Sequence, residues 1–288
     1  MPLSVRPALP LRRGARRPRA AAAVALSLAA LAGCVTTTRT VTTDGADDGP
    51  VSTQDGHGKS DKADLERRAN IHLDLAREYF KDAQYSTALD EVRQALAARP
   101  DRPDAFALRG LIYGAMGDPA SAETAFRRAI DLKPDDGDTL HNYGWVLCQE
   151  RRFPEADAQF DRAMALPGYF GKARTALAQG VCQARAGNLP AAEKTLAHAY
   201  ELDPSNPFTA FNLADVLYRR AEYVRARFYV RRINDNEKLI SAQSLWLAIR
   251  IEHRMNDAAG MADLGRQLRE RFPQSPEVKL LDKGRFDD

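Results

Sequence analysis

The sequence predicts an all-α fold, a right-handed superhelical solenoid of about six helical hairpins, from three observations: a 34-residue period, small residues at fixed places within it, and prolines that close it. Proline recurs at Pro100 and Pro134, and the segments ahead of them correspond, ALDEVRQA at 88–95 against AETAFRRA at 122–129. A period of this length marks stacked helix pairs, because a lone hairpin cannot bury its apolar face and three or more must pile up to share a core. Proline at the end of each period stops the second helix, since it lacks the next backbone donor and its ring meets the preceding turn.

Counted from Ala69 as position 1, the first repeat carries Leu75, Ala76, Tyr79, Ala88, Val92, Ala95 and Pro100 at positions 7, 8, 11, 20, 24, 27 and 32. The second, from Pro103, carries Gly110, Tyr113, Ala122, Phe126, Ala129 and Pro134 at 8, 11, 20, 24, 27 and 32 without a gap. This pattern resembles the tetratricopeptide repeat. Repeat three starts at Gly137 and gains two residues near Pro167 and Gly168; repeats four, five and six start at Ala173, Pro207 and Ala242. Repeat five has Ile233 and Lys238, and repeat six Ile249 and Met261, where small residues or proline belong, so repeat six is the most divergent. Small residues at 8 and 20 bring the helices of a pair together, and larger ones at 11 and 24 fill the space between pairs. Residues 275–282 can supply a short capping helix. The expected organisation is a signal at 1–33, a lipidated N-terminus with a disordered tether at 34–64, the tetratricopeptide-repeat domain at 65–282, and a disordered tail at 283–288.

Six arginines and no acid lie in residues 1–33, so removing them from 42 Lys/Arg leaves 36 against 39 Asp/Glu, a mature balance near −3. That excludes the basic footprint of a nucleic-acid binder. The arginines precede an apolar stretch at 20–32, too short for a helix crossing about 30 Å of hydrocarbon and suited to a secretory signal. The stretch ends in Leu31, Ala32, Gly33 and Cys34, which resembles the lipobox of bacterial lipoproteins, so Cys34 is the expected acylated first residue of the mature chain. Each buried methylene contributes about 0.8 kcal/mol, and several acyl chains, palmitate among them, anchor a protein durably. Val35 rather than aspartate after the cysteine favours, by the same resemblance, sorting to the outer membrane with the repeats in the periplasm. Residues 35–64 are rich in Thr, Asp, Gly and Ser and hold too little apolar surface to offset ordering entropy.

Cys148 and Cys182 remain, in an exported chain where disulfides persist. They stand at position 12 of repeat three and position 10 of repeat four, on first helices expected to stack as neighbours. The reading is a Cys148–Cys182 bond, with two buried thiols as the alternative that the Cα separation decides.

The five histidines are dispersed, with no His-x-x-Glu-His or Cys-x-x-Cys spacing, no phosphate-cradling glycine loop and no Gly-x-Ser-x-Gly elbow. The reading is a protein that is not an enzyme, with no metal, no cofactor and no small-molecule substrate. A helical stack offers instead a concave wall built from positions 2, 5, 9, 12 and 13 of each first helix. Here the candidate partner-binding residues are Leu73, Arg77, Phe80, Leu111, Trp145, Leu177, Val181, Phe208, Phe211, Tyr218 and Trp246. Asn70, His141, Arg174, Arg185 and Arg219 are interleaved with them. Aromatic anchors with arginines at the rim suit an extended or helical peptide.

A closer likeness rests on NYGWVLC at 142–148 with FPEA at 153–156, and on LADVLY at 213–218 with EYVRAR at 222–227. These segments, with the lipobox and the count of six repeats, resemble the type IV pilus biogenesis and stability lipoproteins of the PilW/PilF family from about residue 65 to 276. The resemblance implies a pilotin or assembly factor that helps the secretin PilQ to reach and oligomerise in the outer membrane, together with other pilus assembly proteins as partners. It also implies a disulfide, since the cysteines matching Cys148 and Cys182 are paired in some members. The groove would capture the secretin chiefly through repeats one to three. The competing reading is a general cell-envelope adaptor serving outer-membrane assembly or peptidoglycan machinery.

Overall fold

The computed structural model describes residues 56–286; the expected signal, Cys34 and the tether up to residue 55 lie outside the described residues. Thirteen helices and no strand occur among the described residues. Six antiparallel pairs follow one another: α1 (Gly56–Lys81) with α2 (Tyr85–Ala98), α3 (Pro103–Met116) with α4 (Pro119–Leu132), and α5 (Gly137–Gln149) with α6 (Phe153–Ala165). Then come α7 (Lys172–Arg185) with α8 (Leu189–Leu202), α9 (Pro207–Arg219) with α10 (Tyr223–Asn234), and α11 (Ala242–Arg254) with α12 (Ala258–Arg271). A short α13 (Pro276–Asp282) closes the array. Each second helix packs on the first helix of the next pair, and the first helices also touch in series, so the chain is an all-α solenoid of tetratricopeptide hairpins.

Position 8 against position 24 holds each hairpin together. A methyl group added at Gly110, Gly144 or Gly180 would come within 2.7, 2.8 and 2.6 Å of Phe126, Phe160 and Leu196 respectively. Those three large side chains are fully buried, so the close helix approach exists because the glycine has no side chain. Repeats one and five use Ala76 with Val92 and Ala214 with Val230, all buried. Repeat six reverses the sizes. Fully buried Ile249 stands at position 8 and Gly265 at position 24, and the room above Gly265 is taken by Leu281 of α13, 3.2 Å from where a methyl would be. Repeat six is thus a true helix pair whose packing sizes are exchanged to receive the cap.

Position 15, between the helices of a pair, takes the left-handed conformation in all six repeats: Ala83, Gly117, Arg151, Gly187, Ala221 and Asn256, with φ between 57° and 83°. Only two are glycine, and the other four carry a side chain in a region that costs about 1 kcal/mol or more without special support. Cap chemistry supports the following helix in part. Asp118, Asn188 and Asp257 accept from Ser121, Ala191 and Gly260 backbone N–H groups at 3.1, 3.3 and 2.8 Å. Asn206, Ser241 and Ser275 cap α9, α11 and α13 in the same way.

Two boundaries differ from the sequence expectation. The tether is expected to reach residue 64, but α1 begins at Gly56, because extending an existing helix by a residue costs far less than nucleating one. Residues 283–288 are expected to be a disordered tail. Instead a left-handed Gly284 ends α13, and Phe286 stacks on Trp246 (centroids 5.7 Å apart) and His253 (4.2 Å). Its carbonyl accepts from Arg250 Nε at 3.0 Å.

Candidate functional site

The wall positions of the first helices do not share one environment. Leu73 has no accessible surface and belongs to the core with Ala76, Val92 and Ile112, so it is not available to a partner. Tyr218 and Trp246 are also buried, each 7 % exposed, beneath Arg250 and Phe286 respectively. Their placement has one cause: the next first helix, or the tail after α13, leans over them.

Leu111 and Trp145 are half-buried on the cluster of Tyr143, Val146, Leu147 and Cys148. Leu177 and Phe211 are half-buried on the cluster around Leu213 and Leu217, and Val181 is also half-buried. Phe80 packs at the first hairpin turn against Tyr85, ring centroids 5.9 Å apart. Phe208, 61 % exposed in the first turn of α9, is the most open of the aromatic residues named from the sequence. Arg77 bridges α1 to α3, held by Asp74 at 2.7 Å and Asp104 at 3.7 Å.

Two arginines of the wall rest on rings and a third on a carbonyl group. The Arg185 guanidinium lies 5.0 Å from the Trp145 ring centre and that of Arg250 4.5 Å from Tyr218, within the range of cation–π attraction. Arg219 donates to the Ala184 carbonyl at 3.2 Å, and Arg254 Nε approaches the Tyr218 hydroxyl at 3.5 Å. Burial pushes the Asp215 carboxyl above the usual carboxylate range, against the opposing pull of Arg219 and Arg250. Arg250 and Arg254 were missed among the site residues; they stand at positions 9 and 13 of repeat six, so the repeat register alone would have found them.

The junction of repeats three and four is the most tightly tied part of the wall. Cys148 of α5 and Cys182 of α7 have Cα atoms 5.8 Å apart, within the span of a disulfide, and the sulfurs face each other. Two turns away, His141 Nδ1 lies 3.0 Å from Thr175 Oγ1, and Arg174 donates to Asp138 at 2.7 Å. Burial, then the neighbouring Arg174, lowers the His141 pKa to about 4 despite Asp138, so the ring is neutral at pH 7. Among the described residues no cluster of three or more His, Cys, Asp or Glu is placed to hold a metal ion, and no helix is long and apolar enough to cross a membrane.

A tetratricopeptide repeat family model matches residues 73–137, 108–170 and 144–207. The type IV pilus assembly protein PilF of Pseudomonas aeruginosa is 28 % identical over 259 residues, 90 % of this chain and 96 % of that one. The crystal structure of PilW, a widely conserved type IV pilus biogenesis factor, is 29 % identical and superposes with a TM-score of 0.67 over 74 % of this chain and 97 % of that one. The chain is a tetratricopeptide-repeat protein homologous to the type IV pilus proteins PilF and PilW. A P. aeruginosa PilF structure, 24 % identical with a TM-score of 0.65 over 77 % of this chain, agrees in fold. It shares their tetratricopeptide-repeat architecture.

Proposed function

We propose that the protein is an outer-membrane lipoprotein for type IV pilus biogenesis, whose inner wall binds the secretin PilQ and promotes its localisation and oligomerisation. The observation that carries this reading is the continuity of the likeness: it runs through nearly the whole of PilF and PilW, first repeat to last. The wall supports it with half-buried Leu111, Trp145, Leu177 and Phe211 flanked by ring-supported arginines, the composition of binding hot spots. The lipobox ending at Cys34 supplies the membrane tie, and Cys148 bonded to Cys182 fixes repeats three and four in the oxidising periplasm.

Deletion of the gene should abolish heat- and detergent-resistant secretin multimers and twitching motility, and the wild-type gene should restore both. Normal multimers and normal pili in the deletion strain would overturn the pilus reading, and co-purification with other envelope machinery in place of the secretin would favour the general adaptor.

A further inference from the structure

The charges at the five wall positions divide the solenoid. In repeats one to three these positions hold Arg77, Lys81, Asp104 and Asp138, two of each sign. In repeats four to six they hold Arg174, Arg185, Arg219, Arg250 and Arg254 against Asp215. Arg174 is answered across the junction by Asp138. Arg185, Arg219 and Arg250 lie in a chain that from Cys34 onward carries more acid than base, so the concentration runs against the composition.

Several arginines elsewhere in the fold are closed by carboxylates. Arg152 binds Glu123 at 2.6 Å, Arg225 binds Glu193 at 2.7 Å, and Arg227 takes the buried Glu252 through Nε at 2.7 Å. On the wall, Arg185 lies on a ring, and Arg219 donates to a carbonyl and makes a long ion pair with Asp215 at 3.8 Å. A guanidinium laid on an aromatic face loses little hydrogen-bonding capacity, because its N–H groups point outward in its own plane and remain available to a carboxylate. The chain itself displays an occupant of this wall. Phe286 covers Trp246 and His253 at positions 5 and 12 of repeat six and gives its carbonyl to Arg250 at position 9; in sequence it leads into Asp287 and Asp288.

We propose that repeats four to six of the inner wall receive an acidic segment of the protein partner that also carries aromatic side chains, with Arg185 and Arg219 taking its carboxylates. This rests on the reading of the wall as a protein-binding groove and names the chemistry of what enters its C-terminal half. Charge complementarity of this kind makes binding fall with salt and excludes basic competitors.

The test uses the mature full-length chain and two labelled peptides, one alternating phenylalanine with pairs of aspartate, the other with lysine in place of aspartate. The aspartate peptide should bind, more weakly as salt is raised, and the lysine peptide should not. Arg185→Glu with Arg219→Glu should weaken the aspartate peptide by about tenfold or more, and the double lysine variant should retain most of the affinity. Equal binding of the two peptides, or salt-independent binding, would overturn the proposal even if the glutamate variant fails to fold. Secretin capture by the same proteins separates the two levels. Binding of the aspartate peptide without secretin upholds the acidic segment and sinks the secretin reading. Secretin capture untouched in a folded glutamate variant sinks the acidic segment and leaves the secretin reading standing.

Discussion

Repeats three and four differ from repeats five and six in how they achieve the same hairpin. The first two set a glycine under a large buried side chain, Gly144 under Phe160 and Gly180 under Leu196, and their first helices bring Cys148 and Cys182 within disulfide distance. Repeat five relaxes the contrast to Ala214 and Val230, and repeat six inverts it with Ile249 and Gly265. The difference teaches that this fold keeps the sum of two side-chain sizes across the helix pair, while each position taken alone is free to change.

The proposed Cys148–Cys182 bond separates the two regions most strongly. Replacing Cys148 and Cys182 by serine should lower unfolding free energy by about 4 kcal/mol, the chain-entropy value for a loop of this length, read by urea denaturation. Two thiols alkylatable without prior reduction in protein from the periplasm would show that the bond does not form.

The packing contrast comes next. Gly144→Ala drives a methyl into a buried ring and should cost about 1–3 kcal/mol, whereas Gly265→Ala meets only the end of the flexible Leu281 and should cost less, under about 1 kcal/mol. Equal costs would mean that the inversion in repeat six is incidental.

His141 gives the junction of repeats three and four a dependence on pH. Its pKa in the fold is about 4, below the ordinary histidine value, so between roughly pH 6.5 and 4 the unfolded chain takes up a proton that the folded chain refuses. Stability from this residue is therefore present above about pH 6.5 and lost as pH falls towards 4. In His141→Gln, thermal melting should lose part of its acid dependence over that window; an unchanged pH profile would contradict the burial of a neutral ring.

The smallest effect is a gain. Ala221, held at φ 61° in repeat five, should become more favourable as glycine by about 0.5–1 kcal/mol. The same test at Gly117, whose φ is already served by glycine, runs in reverse with Gly117→Ala.

These contrasts also mark what the sequence could reveal. Proline spacing and the small residues Ala88, Ala122, Ala156 and Ala192 placed the repeats, because one residue type at one position has one steric meaning. Glycine marks the turns at Gly117 and Gly187, whereas alanine and arginine at the same place give no local signal of a left-handed backbone and Asn256 gives only a weak one. The site was harder to read. Position numbers chose the wall, but they could not tell that Leu73 lies beneath the surface or that Tyr218 is covered by Arg250, because burial there depends on the lean of the next helix. Phe286 was missed for the same reason: a lone aromatic after a short helix shows its partner only once Trp246 is in place.

The most direct measurement is titration of the purified mature chain with the purified secretin PilQ, beside a Trp145→Ala and Leu177→Ala variant of unchanged fold. Saturable binding that the variant weakens by an order of magnitude is the predicted result. Absence of binding by the wild type, or equal binding by the variant, would contradict a secretin-capturing inner wall.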